Sequence, residues 1–260
     1  MLLKPATLFI ACVMAAATSV QAVGHKHCHN GHIALTFDDG VTPFTRRIID
    51  QLVEAKQYAT LCINLNNYMC NYNEEAVDVL RYAVSKRMTL CNHGAGHAHM
   101  AELNADQIRE QIRQVNRFTM KTMKIKARYF RFPYGESNPM AEQIVREEGM
   151  EILNWSIDSE DSTGASKDKI LSHFTGLEKG VSTDIILLHG NTDEFVNDTL
   201  PAILGVLKDK NMKSSGMGKC LKRGSFENGF LKYEFTWKPR MPDWNCNGVP
   251  VGGPKGPDPQ

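Results

Sequence analysis

The chain has 260 residues, 42% of them hydrophobic and 23% charged, the balance of a folded protein with one large or two small domains. Lys and Arg number 30 against 29 Asp and Glu, a formal net charge of +1. That balance argues against a nucleic-acid or polyanion binder, which shows a basic excess, and suits a neutral substrate.

At the amino terminus Lys4 precedes a largely apolar run from Ala6 to Ala17, and Val20-Gln21-Ala22 places small residues where a signal peptidase cuts. This order predicts a secretory signal peptide over 1–22 and a secreted, extracellular protein. The run is too short to span a bilayer comfortably, so no membrane attachment is expected. Without Cys12, six cysteines remain: Cys28, Cys62, Cys70, Cys91, Cys220 and Cys246. In a secreted chain these allow up to three disulfides. Cys62 and Cys91 sit in apolar, strand-like stretches, where free buried thiols are the alternative.

The first strand is predicted over Ile33–Phe37, ending at the turn Asp38-Asp39-Gly40. Thr42 is placed to cap a helix that starts at Pro43 and carries Ile48, Ile49, Leu52 and Val53 at helical spacing. Strands follow at Ala59–Leu65, Met88–Cys91, Arg128–Phe132, Met150–Trp155 and Asp184–Leu188, with a weak last one in Asn211–Leu221. Between them, helices are predicted over Glu74–Lys86, Asn104–Lys121, Pro139–Glu148, Ser166–Leu177 and Val196–Lys210. Ile108, Ile112, Val115 and Met120 form the expected buried stripe of the longest helix. Six or seven strands alternating with helices indicate an α/β parallel sheet or barrel. The pattern dissolves from about Arg223, and the Gly- and Pro-rich end, Gly252–Gln260, is expected to be disordered.

Active sites in parallel α/β folds lie beyond the carboxyl ends of the strands. Asp38 and Asp39 follow the first strand here, and His93 and His97 the third. Arg131 and Tyr134 lie in and after the fourth, Asp158 and Asp161 after the fifth, and His189 after the sixth. His93 and His97 are four apart, on one face if their segment turns helically. Two imidazoles and a carboxylate make a catalytic metal site with room for water; the set suits zinc or another transition metal. His99 is a weaker third imidazole.

Thr36-Phe37-Asp38-Asp39-Gly40, His93-x-x-x-His97, Arg131-x-Pro133-Tyr134 and Leu187-x-His189 together resemble the motifs of the polysaccharide deacetylases, carbohydrate esterase family four with its NodB-homology domain. The secreted layout is most similar to the fungal chitin deacetylases. The match runs from about Ile33 to Leu221, within a domain read as 23–222, with a partly disordered extension over 223–260. The resemblance implies an irregular (β/α) barrel of six to seven parallel strands. It implies that Asp39, His93 and His97 hold a divalent metal, usually Zn2+ with Co2+ an alternative, which polarises the acetyl carbonyl and acidifies water. Asp38 would be the general base, with Arg131 paired to it. The Tyr134 backbone N–H would stabilise the oxyanion, and His189, oriented by Asp161, would protonate the leaving amine. Leu187 would line the acetyl pocket beside Tyr134. The implied activity is metal-dependent deacetylation of chitin or its oligomers by a monomer. Peptidoglycan, acetylated xylan, or a degenerate, glycan-binding role without activity are the rivals.

Two departures stand out. Gly94 replaces the usual Ser or Thr, which implies a looser metal loop. Ser162 replaces the usual Trp after Asp161, which implies a wider acetyl pocket, with Trp155 no obvious substitute. In the implied barrel the first and last strands are neighbours, which predicts a Cys28–Cys220 disulfide; a Cys70–Cys246 pair is the weaker expectation. The histidines at 25, 27, 29 and 32 read as a solvated arm, with a copper-binding Val23-Gly24-His25 terminus as the alternative. Asn197-Asp198-Thr199 is a glycosylation sequon in an expected surface segment.

Overall fold

The computed structural model of the chain describes residues 20–29, 31–222 and 241–249. Most of the expected signal peptide, and the extension beyond Lys222 apart from 241–249, lie outside them.

Seven strands build the main sheet: β1 (Ala34–Gly40), β2 (Ala59–Ile63), β3 (Thr89–Asn92), β4 (Tyr129–Phe130), β5 (Glu151–Ile152), β6 (Ile157–Asp158) and β7 (Ile185–Leu188). Their order is β5-β4-β3-β2-β1-β7-β6, every pair parallel. Such strands bury both faces, so they read as continuous apolar runs; β2 and β7 are buried at every position. The sheet curls into a half-barrel whose edges, β5 and β6, are consecutive in the chain.

The amino-terminal arm enters that opening. His25 bridges to Leu153 and His27 to Asp184; the His25 amide donates to the Ile152 carbonyl at 2.9 Å, and the Asn154 amide to the His25 carbonyl at 2.8 Å. The expected solvated arm is therefore part of the barrel wall. Its pattern of charge and histidine hid backbone pairing, which any side chain can make. The same bonds engage the amide a copper-binding terminus would need, and the His25 ring lies 2.9 Å from Glu151.

The helices lie where the apolar spacing put them: α1 (Thr45–Glu54), α2 (Glu74–Ser85), α3 (Ala105–Met123), α4 (Pro139–Glu147), α5 (Lys167–Thr175) and α6 (Leu200–Asp209). Asn104 and Gln107 form a reciprocal capping box that starts α3. Its buried face runs Ile108, Ile112, Val115, Phe118 and Met123; Met120 lies beside that stripe, half-buried. α1 starts later than expected, with Phe44 at its cap, because Thr42 and Thr45 bond each other in the preceding turn. α1 buries Ile48, Ile49 and Leu52, each contributing about 1.5–3 kcal/mol on leaving water.

The expected last strand does not form. Ser214 makes a single parallel bridge to Ile33, and the chain then turns into a short helix, α7 (Met217–Cys220). Gly216 and Gly218 deny that stretch the side chains a strand would pack. It still runs beside the start of β1, and Cys28 is bonded to Cys220 as expected. Cys70 is bonded to Cys246, while Cys62 and Cys91 are free and buried, opposite each other on β2 and β3. Among the described residues, no helix is long and apolar enough to cross a membrane.

Candidate active site

Successive side chains of a strand point to opposite faces. Asp38 and Asp39 nevertheless line one cavity, because Asp39 takes a left-handed backbone (φ 70°) and the ladder to β2 slips between Phe37 and Gly40. His93 follows β3 directly, and its Nδ1 donates to the Arg131 carbonyl at 2.8 Å, which leaves Nε2 as the free ligand atom. His97 does not reach the site by a helical turn. The loop is irregular, with left-handed turns at Gly94 (φ 75°) and His97 (φ 48°).

That loop is not loose. The Asn64 side chain donates to the carbonyls of His93 (2.6 Å) and Gly94 (2.9 Å). The Gly94 amide donates to the Asn92 side chain and the Gly96 amide to that of Gln111, both at 2.9 Å. Three amide side chains do the bracing that a hydroxyl at position 94 was expected to do.

Asp39 Oδ1 lies 3.1 Å from His97 Nε2 and 3.4 Å from His93 Nε2, is buried, and has no hydrogen-bond partner. Ligands about 2.1 Å from a tetrahedral zinc sit about 3.4 Å apart, so the three atoms fit a divalent metal. Burial pushes the Asp39 carboxyl up, but the two imidazoles outweigh it and hold the group well below the usual carboxylate range. Asp39, His93 and His97 also form a cluster of ligand atoms all within 4.8 Å of one another.

Two pairs flank this trio. Arg131 Nη1 donates to Asp38 Oδ1 at 2.8 Å and to Thr36 Oγ1 at 2.7 Å, and Nη2 donates to the Asn154 carbonyl at 3.1 Å. Burial works against the guanidinium's charge, yet the Asp38 carboxylate raises its pKa above the ordinary value. On the other side, His189 Nδ1 donates to Asp161 Oδ1 at 2.9 Å, and Asp161 Oδ2 accepts the amides of His189 and Gly190, each at 2.8 Å. Burial lowers the His189 pKa, but Asp161, with Asp39 and Asp38 behind it, pushes it up to about 10.

The cavity between these pairs measures about 160 Å³. Leu187, Tyr134 and His189 line it, whereas Arg131 and Asp161 stand behind the groups they hold. Tyr134 is left-handed (φ 58°), 39% exposed, stacked on His99 at 3.9 Å and edge-on to His97 at 4.5 Å. His99 thus meets Tyr134 and is absent from the ligand cluster. Trp155, judged no obvious substitute from the sequence, lines the same cavity as Ser162. A Cβ on Gly135 would come within 2.6 Å of its ring, so this glycine is what lets the indole lie against the turn. The signal for it was the chain's return toward the cavity after β5, which a spacing pattern does not carry. Tyr72 and Trp244 are buried against each other in the core rather than presented to a ligand.

The family profile described as polysaccharide deacetylase matches residues 25–175, and the chain belongs to that family. Among its relatives, the bifunctional xylanase/xylan deacetylase of Cellvibrio japonicus is 24% identical over 186 residues, covering 70% of this chain and 26% of that protein. The peptidoglycan-N-acetylglucosamine deacetylase of Bacillus cereus is 26% identical over 189 residues, covering 71% and 66%. The chitin deacetylase of Colletotrichum lindemuthianum is 24% identical over 198 residues, covering 74% and 79%. Its solved structure superposes with a TM-score of 0.74 at 21% identity, over 82% of this chain and 97% of that one. The chain thus spans about a quarter of the first of these relatives, just under two-thirds of the second and about four-fifths of the third.

Proposed function

We propose that this protein hydrolyses N-acetyl groups from a β-1,4-linked N-acetylglucosamine polymer or oligomer and releases acetate. The observation that carries the reading is that one cavity is lined by the Asp39–His93–His97 trio together with Asp38, paired to Arg131, and His189, paired to Asp161. A divalent metal, most simply Zn2+, held by that trio would polarise the acetyl carbonyl and acidify the attacking water. Asp38, fixed by Arg131, takes the proton from that water. The Tyr134 turn faces the developing oxyanion. His189, kept protonated by Asp161, gives its proton to the leaving nitrogen, which supports an amide substrate because an amine leaves poorly without one. Trp155 and Leu187 both line the cavity, so the indole of Trp155 supplies an aromatic wall for the acetyl group that Ser162 does not. The two disulfides support a secreted protein, and we take it to act as a monomer.

The test is acetate release from chitin oligomers, peptidoglycan and acetylxylan, each with and without chelator. Release from chitin oligomers that stops on chelation and returns with Zn2+ or Co2+ is expected. Release from acetylxylan alone would overturn the chitin assignment, and none from any substrate would leave a glycan-binding protein.

A further inference from the structure

Opposite the active site, before the strands begin, lies a second cavity of about 490 Å³. Its wall comes from the turns that lead into β1, β2 and β3, and from the stretch before α7. Arg87, Lys179, Lys213 and Lys219 line it together with the imidazole of His32, and no Asp or Glu does. None of the four cations makes an ion pair among the described residues, although most Arg side chains elsewhere do. The four are exposed side chains with no counter-charge in the cavity wall, so they concentrate positive potential at one concavity of a chain whose net charge is +1. His32 records the field: burial, His29 and Lys219 together push its pKa down.

The floor is polar and fixed. Ser214 and Ser215 are buried, His32 Nδ1 lies 3.1 Å from Ser215 Oγ, and the Ser215 amide donates to the Ile33 carbonyl at 2.8 Å. Gly31 and Gly180 face each other with left-handed backbones at the rim, where a Cβ on Gly31 would sit 3.5 Å from Gly180. The Ser214 hydroxyl donates to the Tyr58 carbonyl and that of Ser215 pairs with His32, so the donors for a tetrahedral oxyanion are the guanidinium and the ammonium groups above them.

We propose that this cavity is a second binding site, separate from the catalytic one, for a phosphate or sulfate group carried on a saccharide. The cavity is far larger than a bare oxyanion needs, which leaves room for the sugar. The near-neutral composition that suggests a neutral substrate thus conceals a local cationic site on the other face.

The test is calorimetric titration of the full chain with glucosamine 6-phosphate, with inorganic phosphate and with sulfate, at constant ionic strength set by chloride. Saturable binding at one site is expected, with perturbed amide resonances at His32, Ser214 and Ser215. In Arg87→Gln/Lys219→Gln the affinity should fall at least about tenfold, while acetate release from neutral oligomers is unchanged. Tighter binding of the sugar phosphate than of phosphate is expected; equal affinities would show that the oxyanion alone is the ligand and overturn the saccharide part. Binding no stronger than that of chloride, equal affinity in the double variant, or resonance changes elsewhere would overturn the site.

Discussion

Asp38 and His189 are the side chains whose loss should be most informative, because each is held by a partner that does not itself enter the cavity. Asp38→Asn keeps the shape and the trio Asp39, His93 and His97, so metal content measured by mass spectrometry should be unchanged. Turnover should fall about 100-fold or more, the usual worth of a positioned base. In the proposed mechanism the pH dependence belongs to His189. Its pKa in the folded protein is pushed up to about 10 from an ordinary 6.5. The interaction with Asp161 therefore stabilises the fold fully below about 6.5 and is lost as pH rises through about 10. An acid that must be protonated gives kcat/KM an alkaline limb. Asp161→Asn removes the charge that holds the proton and should move that limb about one unit or more toward neutrality. An unmoved limb would assign it to another group.

At the scale of elements, the site is a set of strand ends plus the turns that bend them inward. Much of this was legible. Apolar runs marked six of the seven parallel strands, all but the two-residue β6, and the charged residues just beyond them marked the candidate catalytic edge, because a two-sided sheet leaves titratable groups only at its ends. The turn at Asp38-Asp39-Gly40 was legible, but the backbone geometry of the turns was not. Asp39, His97 and Tyr134 all adopt left-handed backbones that residue type alone does not announce, and such strain collects at functional sites. Nor did spacing reveal that Asn64 and Gln111, distant in sequence, brace the loop around Gly94. The same blindness concealed Trp155. If its indole walls the acetyl pocket, Trp155→Ala should lower kcat/KM on N-acetyl oligomers about tenfold or more, a loss of about 1.4 kcal/mol or more in transition-state binding. Ser162→Trp should then bring no gain, because the cavity already holds an aromatic and a second would overpack it. A rise in activity in Ser162→Trp would show that the wall is incomplete.

At the scale of the whole molecule, two bridges join distant parts of the chain. Cys28–Cys220 spans 192 residues and Cys70–Cys246 spans 176. By chain entropy alone each loop constrains the unfolded chain by about 5 kcal/mol, an upper bound. The double variant Cys28→Ser/Cys220→Ser should unfold at a clearly lower urea midpoint while keeping kcat, since neither sulfur lines the catalytic cavity. A midpoint equal to that of the parent would mean that packing along the seam, not the bond, joins the arm to α7.

The connectivity also sets an order of events during synthesis. Cys28 and Cys70 each await a partner 192 and 176 residues further along, and Cys62 and Cys91 both emerge before either partner does. On the proposed secretory route the nascent chain therefore carries these four thiols with no correct mate for any of them. What separates the two that must stay reduced is concealment: once β2 pairs with β3, both vanish into a completely buried layer. Correct bridging thus depends on the sheet closing over its own cysteines before the carboxyl-terminal pair arrives.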